Sequence, residues 1–259
     1  MPAQFAHDLL GALSGSFVGY SLGLVGGGGS ILAVPLMIYL VGVPSPHVAI
    51  GTSALAVAVN AAASLAAHAR KGTVKWRCAA VFAAAGVVGA FAGSSLSKVV
   101  DGKKLLVLFA LLMLVIAAVM LMRRAGDGDP DVRLNRRNAV RLVLIGLATG
   151  ALAGFFGIGG GFLIVPGLIL AAGMPILNAI GSSLVAVTAF GATAAANYAV
   201  SGLVDWRLAA SFIAGGICGA VLGGRLAHLL GKRRGALNIV FAGVIVLVAI
   251  YMLVRSLMG

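Results

Sequence analysis

The 259-residue chain contains no glutamate, and its acidic residues are Asp8, Asp101, Asp127, Asp129, Asp131 and Asp205. All of them fall near the start or between apolar stretches. That distribution excludes an embedded carboxylate pair for acid–base chemistry. It also removes the buried carboxylate relay that proton-coupled carriers commonly use. Charge of either sign is scarce, 10% of residues against roughly 25% in soluble domains. A water-soluble globule of this size would lack a polar surface, whereas a chain dissolved in lipid needs none.

Other absences narrow the field further. Cys78 and Cys218 stand singly, near or within apolar segments, which excludes a disulfide framework or a cysteine metal site. No two of His7, His47, His68 and His228 have metal-ligand spacing. The patterns G-x4-G-K-[ST] and HExxH are missing, and GYSLG at 19–23, which fits G-x-S-x-G, lies inside an apolar segment and not at a strand-to-helix turn; this argues against ATP-driven pumping by this chain alone and against the hydrolases those patterns mark. Neither a metal nor a cofactor is expected, and the chain does not read as an enzyme. The first Lys or Arg is Arg70, so the basic n-region of a cleavable leader is lacking and the first apolar segment is expected to be retained.

What is abundant is apolar length. The sequence is 61% hydrophobic with a mean hydropathy of +1.11. Its stretches run to about 20 residues or more, enough for a helix to cross hydrocarbon. A barrel would show short alternating segments instead. The net charge of +13 comes from Lys and Arg gathered in 70–77, 98–104, 123–141 and 232–234. Such clusters set membrane topology and meet anionic lipid headgroups; they do not point to nucleic acid.

An internal repeat organises the chain. GGGGSILAVPL at 26–36 matches GIGGGFLIVPG at 157–167, and Gly15, Gly19 and Gly23 match Gly146, Gly150 and Gly154. Further on, Gly51-Thr52-Ser53 matches Gly181-Ser182-Ser183, Gly72 to Arg77 matches Gly202 to Arg207, and Gly86, Gly89 and Gly93 match Gly216, Gly219 and Gly223. Apolar segments fall at 9–42, 47–69, 77–97 and 104–122, then at 140–173, 177–200, 207–229 and 235–256. The opening segment of each half is too long for one span and is interrupted by glycines, which disfavour helix interiors by up to about 1 kcal/mol each. We read two half-helices there, with Pro35 and Pro166 early in the second, where proline is tolerated.

The fold class is therefore all-α: a polytopic transmembrane bundle of two homologous repeats, each with a Gly-broken opening helix plus three full transmembrane helices. Residues 1–122 form the first repeat, 123–138 a charged cytoplasmic linker, and 139–259 the second repeat. If the opening pieces form a hairpin the repeats are inverted; if they make one broken crossing the repeats are parallel. Under inversion the loops 70–77, 123–141 and 231–234 share one face with four, six and three of the nineteen Lys and Arg residues. The change of Lys71 and Lys75 to Ser201 and Asp205 between matched loops favours that arrangement. It puts both termini outside a bacterial-type inner membrane.

Two halves, each carrying G-x3-G-x3-G-x4-G-G, then Pro, then G-[TS]-S and a G-x3-W ending, resemble the TauE/SafE family of sulfite and organosulfonate exporters. The residues are Gly15, Gly19, Gly23, Gly28, Gly29, Pro35, Gly51, Thr52, Ser53 and Gly72 to Trp76. The second copy is Gly146, Gly150, Gly154, Gly159, Gly160, Pro166, Gly181, Ser182, Ser183 and Gly202 to Trp206. The resemblance implies transport of a small sulfur-containing anion or a related organic acid.

The residues make a physical case for an anion as well. Half-helices starting near Gly29-Ser30 and Gly160-Gly161 would bring two positive helix ends to mid-membrane, where glycine lets the backbone approach a solute. Gly28, Gly29, Ser30, Gly159, Gly160 and Gly161 are the first candidates; the alternative for these glycines is close helix packing, which is the reading preferred for Gly15, Gly19, Gly23, Gly146, Gly150 and Gly154. Ser53, Asn60, Ser64 and His68 lie on one arc of a helix, and Ser182, Thr193 and Asn197 on a comparable arc of its repeat mate. Asn60 matches Phe190, so a site built from these stripes is asymmetric. Thr52, Ser53, Ser182, Ser183, Asn60 and Asn197 join the candidates for substrate contact. His68 and Arg225 are candidate proton or anion partners, with an interfacial histidine and a snorkelling arginine as their alternatives. The expected partners are a small anionic substrate and membrane lipid, with an oligomer left open. A non-transporting assembly subunit and an uptake carrier for another solute are the competing functions.

Overall fold

A computed structural model describes residues 2–25, 27–122, 129, 132, 134–229 and 234–258, with their side chains except those of 2–6, 23–25, 27–29, 120–122, 162, 224–229, 234–241 and 256–258. Among these residues all regular structure is helical. The order is α1 (Pro2–Val25), a 3-10 turn (Gly27–Leu32), α2 (Ala33–Pro35) and a π-helical turn (Leu36–Leu40). Then come α3 (Pro46–Arg70), α4 (Trp76–Ser97), α5 (Gly102–Met122), α6 (Arg136–Phe156), α7 (Gly161–Ala172), α8 (Ile176–Val200), α9 (Trp206–Leu229) and α10 (Arg234–Met258). Among the described residues six helices are long and apolar enough to cross a membrane: α3, α4, α5, α6, α8 and α9.

Local chemistry sets the helix ends. Ser45 caps α3, whose first residue is Pro46. Asn135 and Asn138 form a reciprocal capping box at the start of α6, with N···O distances of 2.7 and 2.9 Å. That helix begins inside the 123–138 segment expected as a linker; positions 123–128, 130, 131 and 133 lie outside the described residues. Asp101 Oδ1 accepts from the N–H groups of Lys103 and Lys104, and Asp205 Oδ1 from that of Leu208. These two aspartates thus serve helix N-termini.

Each opening segment breaks at its glycines, into unequal pieces. The first pieces, α1 and α6, have 24 and 21 residues, whereas α7 has 12. In the second repeat the break consists of Gly157, Gly159 and Gly160 at φ of +63°, +63° and +68°, a region that costs other residues about 1–2 kcal/mol. In the first repeat the corresponding turn is 3-10, and the chain after Pro35 relaxes into the π-helical turn. There Val41 N–H reaches back to Leu36 O at 2.9 Å.

The repeats pack by exchange. Helix α1 lies against α9 and α6 against α4, so each opening helix docks on a helix of the other half; α3 pairs with its mate α8, and α5 with α10. The glycines make the exchanged seams possible. A Cβ on Gly15 would overlap Phe212 O, and one on Gly19 would overlap Gly216 O; on the matched seam a Cβ on Gly150 would overlap Gly86 O and one on Gly154 would overlap Ala90 O. The packing role expected for these glycines is therefore what their geometry displays; Gly23 lies outside the described side chains. At the centre, α3 and α8 are the most buried spans, 61% of each apolar window against 33–44% for the other four.

Candidate functional site

The break before α7 sits between the two central helices. A Cβ on Gly159 would stand 2.7 Å from Val57 Cγ1 of α3 and 3.0 Å from Val187 Cγ1 of α8. These two valines are repeat mates, so Gly159 lies where the matched faces converge. Ser53 Oγ is 2.9 Å from Ile50 O and 3.2 Å from Gly157 O, so its single proton is shared between its own helix and the break. Gly160 is the N-cap of α7, and its carbonyl accepts from Leu163 and Ile164 at 2.8 and 2.9 Å. Gly161 opens the helix. In the first repeat Ser30 is fully buried within the 3-10 turn; the surroundings of Gly28 and Gly29 lie outside the described residues.

The G-[TS]-S motifs face loops of the opposite repeat. Thr52 Oγ1 accepts from Asp205 N–H at 3.0 Å, and Ser182 Oγ accepts from Lys75 N–H at 2.8 Å. Lys75 and Asp205 are themselves repeat mates, so the same bond is made twice. The glycine of each motif clears the way: a Cβ on Gly51 would overlap Leu203 O, and one on Gly181 would come 2.6 Å from Thr73 Oγ1. Ser183 donates to Ile180 O at 2.8 Å, as Ser53 does to Ile50.

The polar stripe of α3 does not act as one unit. Ser64 donates to Asn60 O at 3.0 Å. His68 Nδ1 lies 3.0 Å from Thr73 Oγ1, whose proton goes to His68 O, so this histidine closes the turn after its own helix. Asn197 on α8 is fully engaged: its Nδ2 donates to Ser94 and Ser95 at 2.7 and 2.9 Å, and its Oδ1 accepts from Lys98 Nζ at 2.9 Å. Asn60 differs. It is 1% exposed, and neither Nδ2 nor Oδ1 has a hydrogen-bond partner among the described residues. The Arg225 side chain lies outside the described residues.

Sequence reasoning passed over Ser14, which is 1% exposed and whose Oγ also has no hydrogen-bond partner among the described residues. The repeat carried the signal, since it sets this serine against Ile145. An open groove of ≈ 330 Å³ lies along α3 and α8, lined by Leu55, Val59, Ala62, Thr188 and Trp206 among others; it is apolar, and none of the candidate contacts lines it. Among the described residues no three His, Cys, Asp or Glu side chains gather as metal ligands.

Paired repeats, full-length apolar helices and a glycine break between central spans define a polytopic α-helical membrane protein. The chain matches the family model described as "Sulfite exporter TauE/SafE" over residues 11–252. It belongs to that family of membrane transporters. It is 52% identical over 247 residues to a "probable membrane transporter protein" of Xylella fastidiosa, covering 94% of each chain. It is 27% identical over 218 residues to another so described, YdhB of Bacillus subtilis, covering 83% of this chain and 88% of that one. A Haemophilus influenzae relative with the same description is 30% identical over 206 residues, 77% and 76% of the two chains. No solved structure matches.

Proposed function

We propose that this chain is a secondary exporter of a small anion, such as sulfite, a sulfonate or a related organic acid. The solute is held near mid-membrane at the N-terminal end of α7 and its counterpart at 27–32. The observation that carries this reading is the break itself. Three left-handed glycines end α6 and restart the chain as α7 beside Val57 and Val187, on the two most buried spans. A helix N-terminus there presents backbone N–H groups and about half a positive charge to the solute. Broken helices serve secondary transporters in this way. Gly159, Gly160, Gly161 and Ser53 on one side, with Gly28, Gly29 and Ser30 on the other, would hold the anion. Thr52, Ser182, Ser183 and Asn197 would act mainly by fixing the helices around it. The family description supports sulfite as the first substrate to test. The clustering of Lys and Arg in 70–77 and 123–141 supports a cytoplasmic placement of those loops in an inner membrane, with both termini outside.

The test is uptake and efflux of radiolabelled sulfite and methanesulfonate in proteoliposomes, against empty vesicles and Gly161→Leu. Gly161 is not among the left-handed glycines, so leucine there obstructs the helix end without forcing the backbone. Saturable flux in the wild type, reduced about tenfold or more in the variant, is the expected result; a tenfold loss corresponds to about 1.4 kcal/mol of lost stabilisation. Absence of flux with both anions would overturn the substrate class.

A further inference from the structure

The two central helices each touch the chain beyond the other's end. Lys75, in the turn after α3, donates its N–H to Ser182 Oγ near the start of α8. Asp205, in the turn after α8, donates its N–H to Thr52 Oγ1 near the start of α3. Packed helices that meet in this way run antiparallel. Both have 25 residues, about 37 Å at 1.5 Å per residue, so the two turns stand at opposite ends of a span longer than a hydrocarbon core of about 30 Å. The repeat mates Trp76 and Trp206, which follow those turns, are 54% and 65% exposed, as suits tryptophans in the two headgroup belts.

Each helix start is held a second time, by different chemistry. Asn178 Nδ2 of α8 donates to Thr73 O at 3.0 Å, in the same turn as Lys75. Its repeat mate is Val48, whose side chain has no donor. On α3 the neighbouring His47 acts instead, its Nε2 donating to Ser97 O and Val100 O at 3.2 and 3.1 Å, at the end of α4 and just beyond it. Lys98 Nζ ties that end of α4 to α8, at 2.9 Å from both Asn197 Oδ1 and Ser201 Oγ. The start of α3 is thus clasped by the joined ends of α4 and α8, and the start of α8 by the turn after α3. Between the clasps the helices approach closely: a Cβ on Gly191 would stand 3.0 Å from both Ala54 O and Ala58 Cβ. The break before α7 leans on the same stretch of α3, at Ile50 and Ser53.

We propose that the two clasps are the gates of the carrier, one at each face of the membrane, opened in turn. Two antiparallel helices in close contact at Gly191 and bonded at both ends can rock about that contact. Lifting the start of α3 off the ends of α4 and α8 presses the start of α8 onto residues 73–75, and the reverse motion exchanges the two. Rocking of matched halves about a fixed site is how repeat-built carriers expose that site to one face at a time. With both clasps closed, as here, a solute at the break reaches neither face. The gating rests on the carrier reading above; the antiparallel course of α3 and α8 does not.

The test uses the full chain in lipid nanodiscs, with Cys78→Ala and Cys218→Ala removing the native thiols and one pair of spin labels per sample. Labels on Pro44→Cys and Val200→Cys report on the α3 start; labels on Arg70→Cys and Leu177→Cys report on the α8 start. All four positions are exposed. Thr52→Val and His47→Leu should each raise the share of long distances in the first pair about fivefold and leave the second pair unchanged; Ser182→Ala and Asn178→Val should do the converse. Two variants per clasp separate gating from a local folding defect, and Thr52→Ser, which keeps the accepting hydroxyl, should return the wild-type distances. Widening of both pairs by one variant, of the wrong pair, or of neither would overturn the proposal. Widening as expected in a protein that moves neither sulfite nor methanesulfonate would keep the gates and discard the anion reading. Saturable flux with unmoved distances would keep the carrier and discard the gates.

Discussion

Along the seams between α1 and α9 and between α6 and α4, backbone touches backbone; around α3 and α8 the repeats instead meet through side-chain hydroxyls and loop N–H groups. The seam residues are glycines whose Cα atoms lie against carbonyls of the facing helix, as Gly19 does on Gly216 and Gly150 on Gly86. The central contacts are the paired bonds from Asp205 N–H to Thr52 and from Lys75 N–H to Ser182. Lipid supplies no hydrophobic drive for helix association, so a seam is held by how closely the helices approach, and polar contacts add a modest increment. The seams should therefore be intolerant of a single methyl group. The centre should tolerate isosteric change and lose only what one hydrogen bond contributes.

The largest effect should come from breaking a seam. Gly150→Ala puts a methyl group into Gly86 O, and Gly19→Ala puts one into Gly216 O. Neither neighbour is a flexible side chain, so the helices must separate, and about 3 kcal/mol, the upper part of the overpacking range, is expected for each. Gly72→Ala is the reference: its φ of +66° penalises alanine, but nothing lies within 4 Å, so the cost should be about 1 kcal/mol. Thermal unfolding of the purified variants decides the matter. Seam variants as stable as Gly72→Ala would show that the helices are free to slide apart, and the comparison would fail.

A smaller effect is expected at the centre. Thr52→Val and Ser182→Ala keep the packing and remove the hydroxyls that accept from the N–H groups of Asp205 and Lys75, at a cost of about 1–2 kcal/mol each. Thr52→Ser should restore nearly all of it. Since the bonds are repeat mates of similar length, 3.0 and 2.8 Å, the two losses should match in the same unfolding measurement. A loss confined to one of them would show that the halves carry unequal loads.

Much of this architecture is legible in the sequence, because repetition and apolar length are one-dimensional signals. Gly15, Gly19, Gly146 and Gly150 announce both the repeat and a small-residue face, and Gly157 to Gly160 mark a break that only left-handed glycines make cheap. Which helix each face meets is not one-dimensional; nothing local in α1 names α9. For the same reason Thr52 and Ser182 read as solute contacts. Their polarity is plain, whereas the loops that use it come from the other half of the chain, more than 100 residues away in sequence. The stripe of Ser53, Asn60, Ser64 and His68 shares one arc by spacing, yet its members find their partners in the α6–α7 break, on their own helix or in the following turn, and the Asn60 side chain finds none among the described residues. Spacing fixes direction from the helix axis; it says nothing about what stands opposite.

The smallest effect should come from the charged end of one seam. Arg207 at the start of α9 forks onto Asp8 of α1 at 2.6 and 3.0 Å. The position matched to Asp8 on the other seam is Ala139, so the α4–α6 contact is made without this pair. Arg207 is 66% exposed and Asp8 28%, and at such exposure water screens the attraction while two side chains are held in one geometry. Asp8→Asn should accordingly leave Tm unchanged at moderate ionic strength, and raising the salt should not separate the variant from the wild type. Were Asp8→Asn as damaging as Thr52→Val, the α1–α9 seam would depend on its charged rim, and close backbone packing alone would no longer account for why opening helices exchange between repeats.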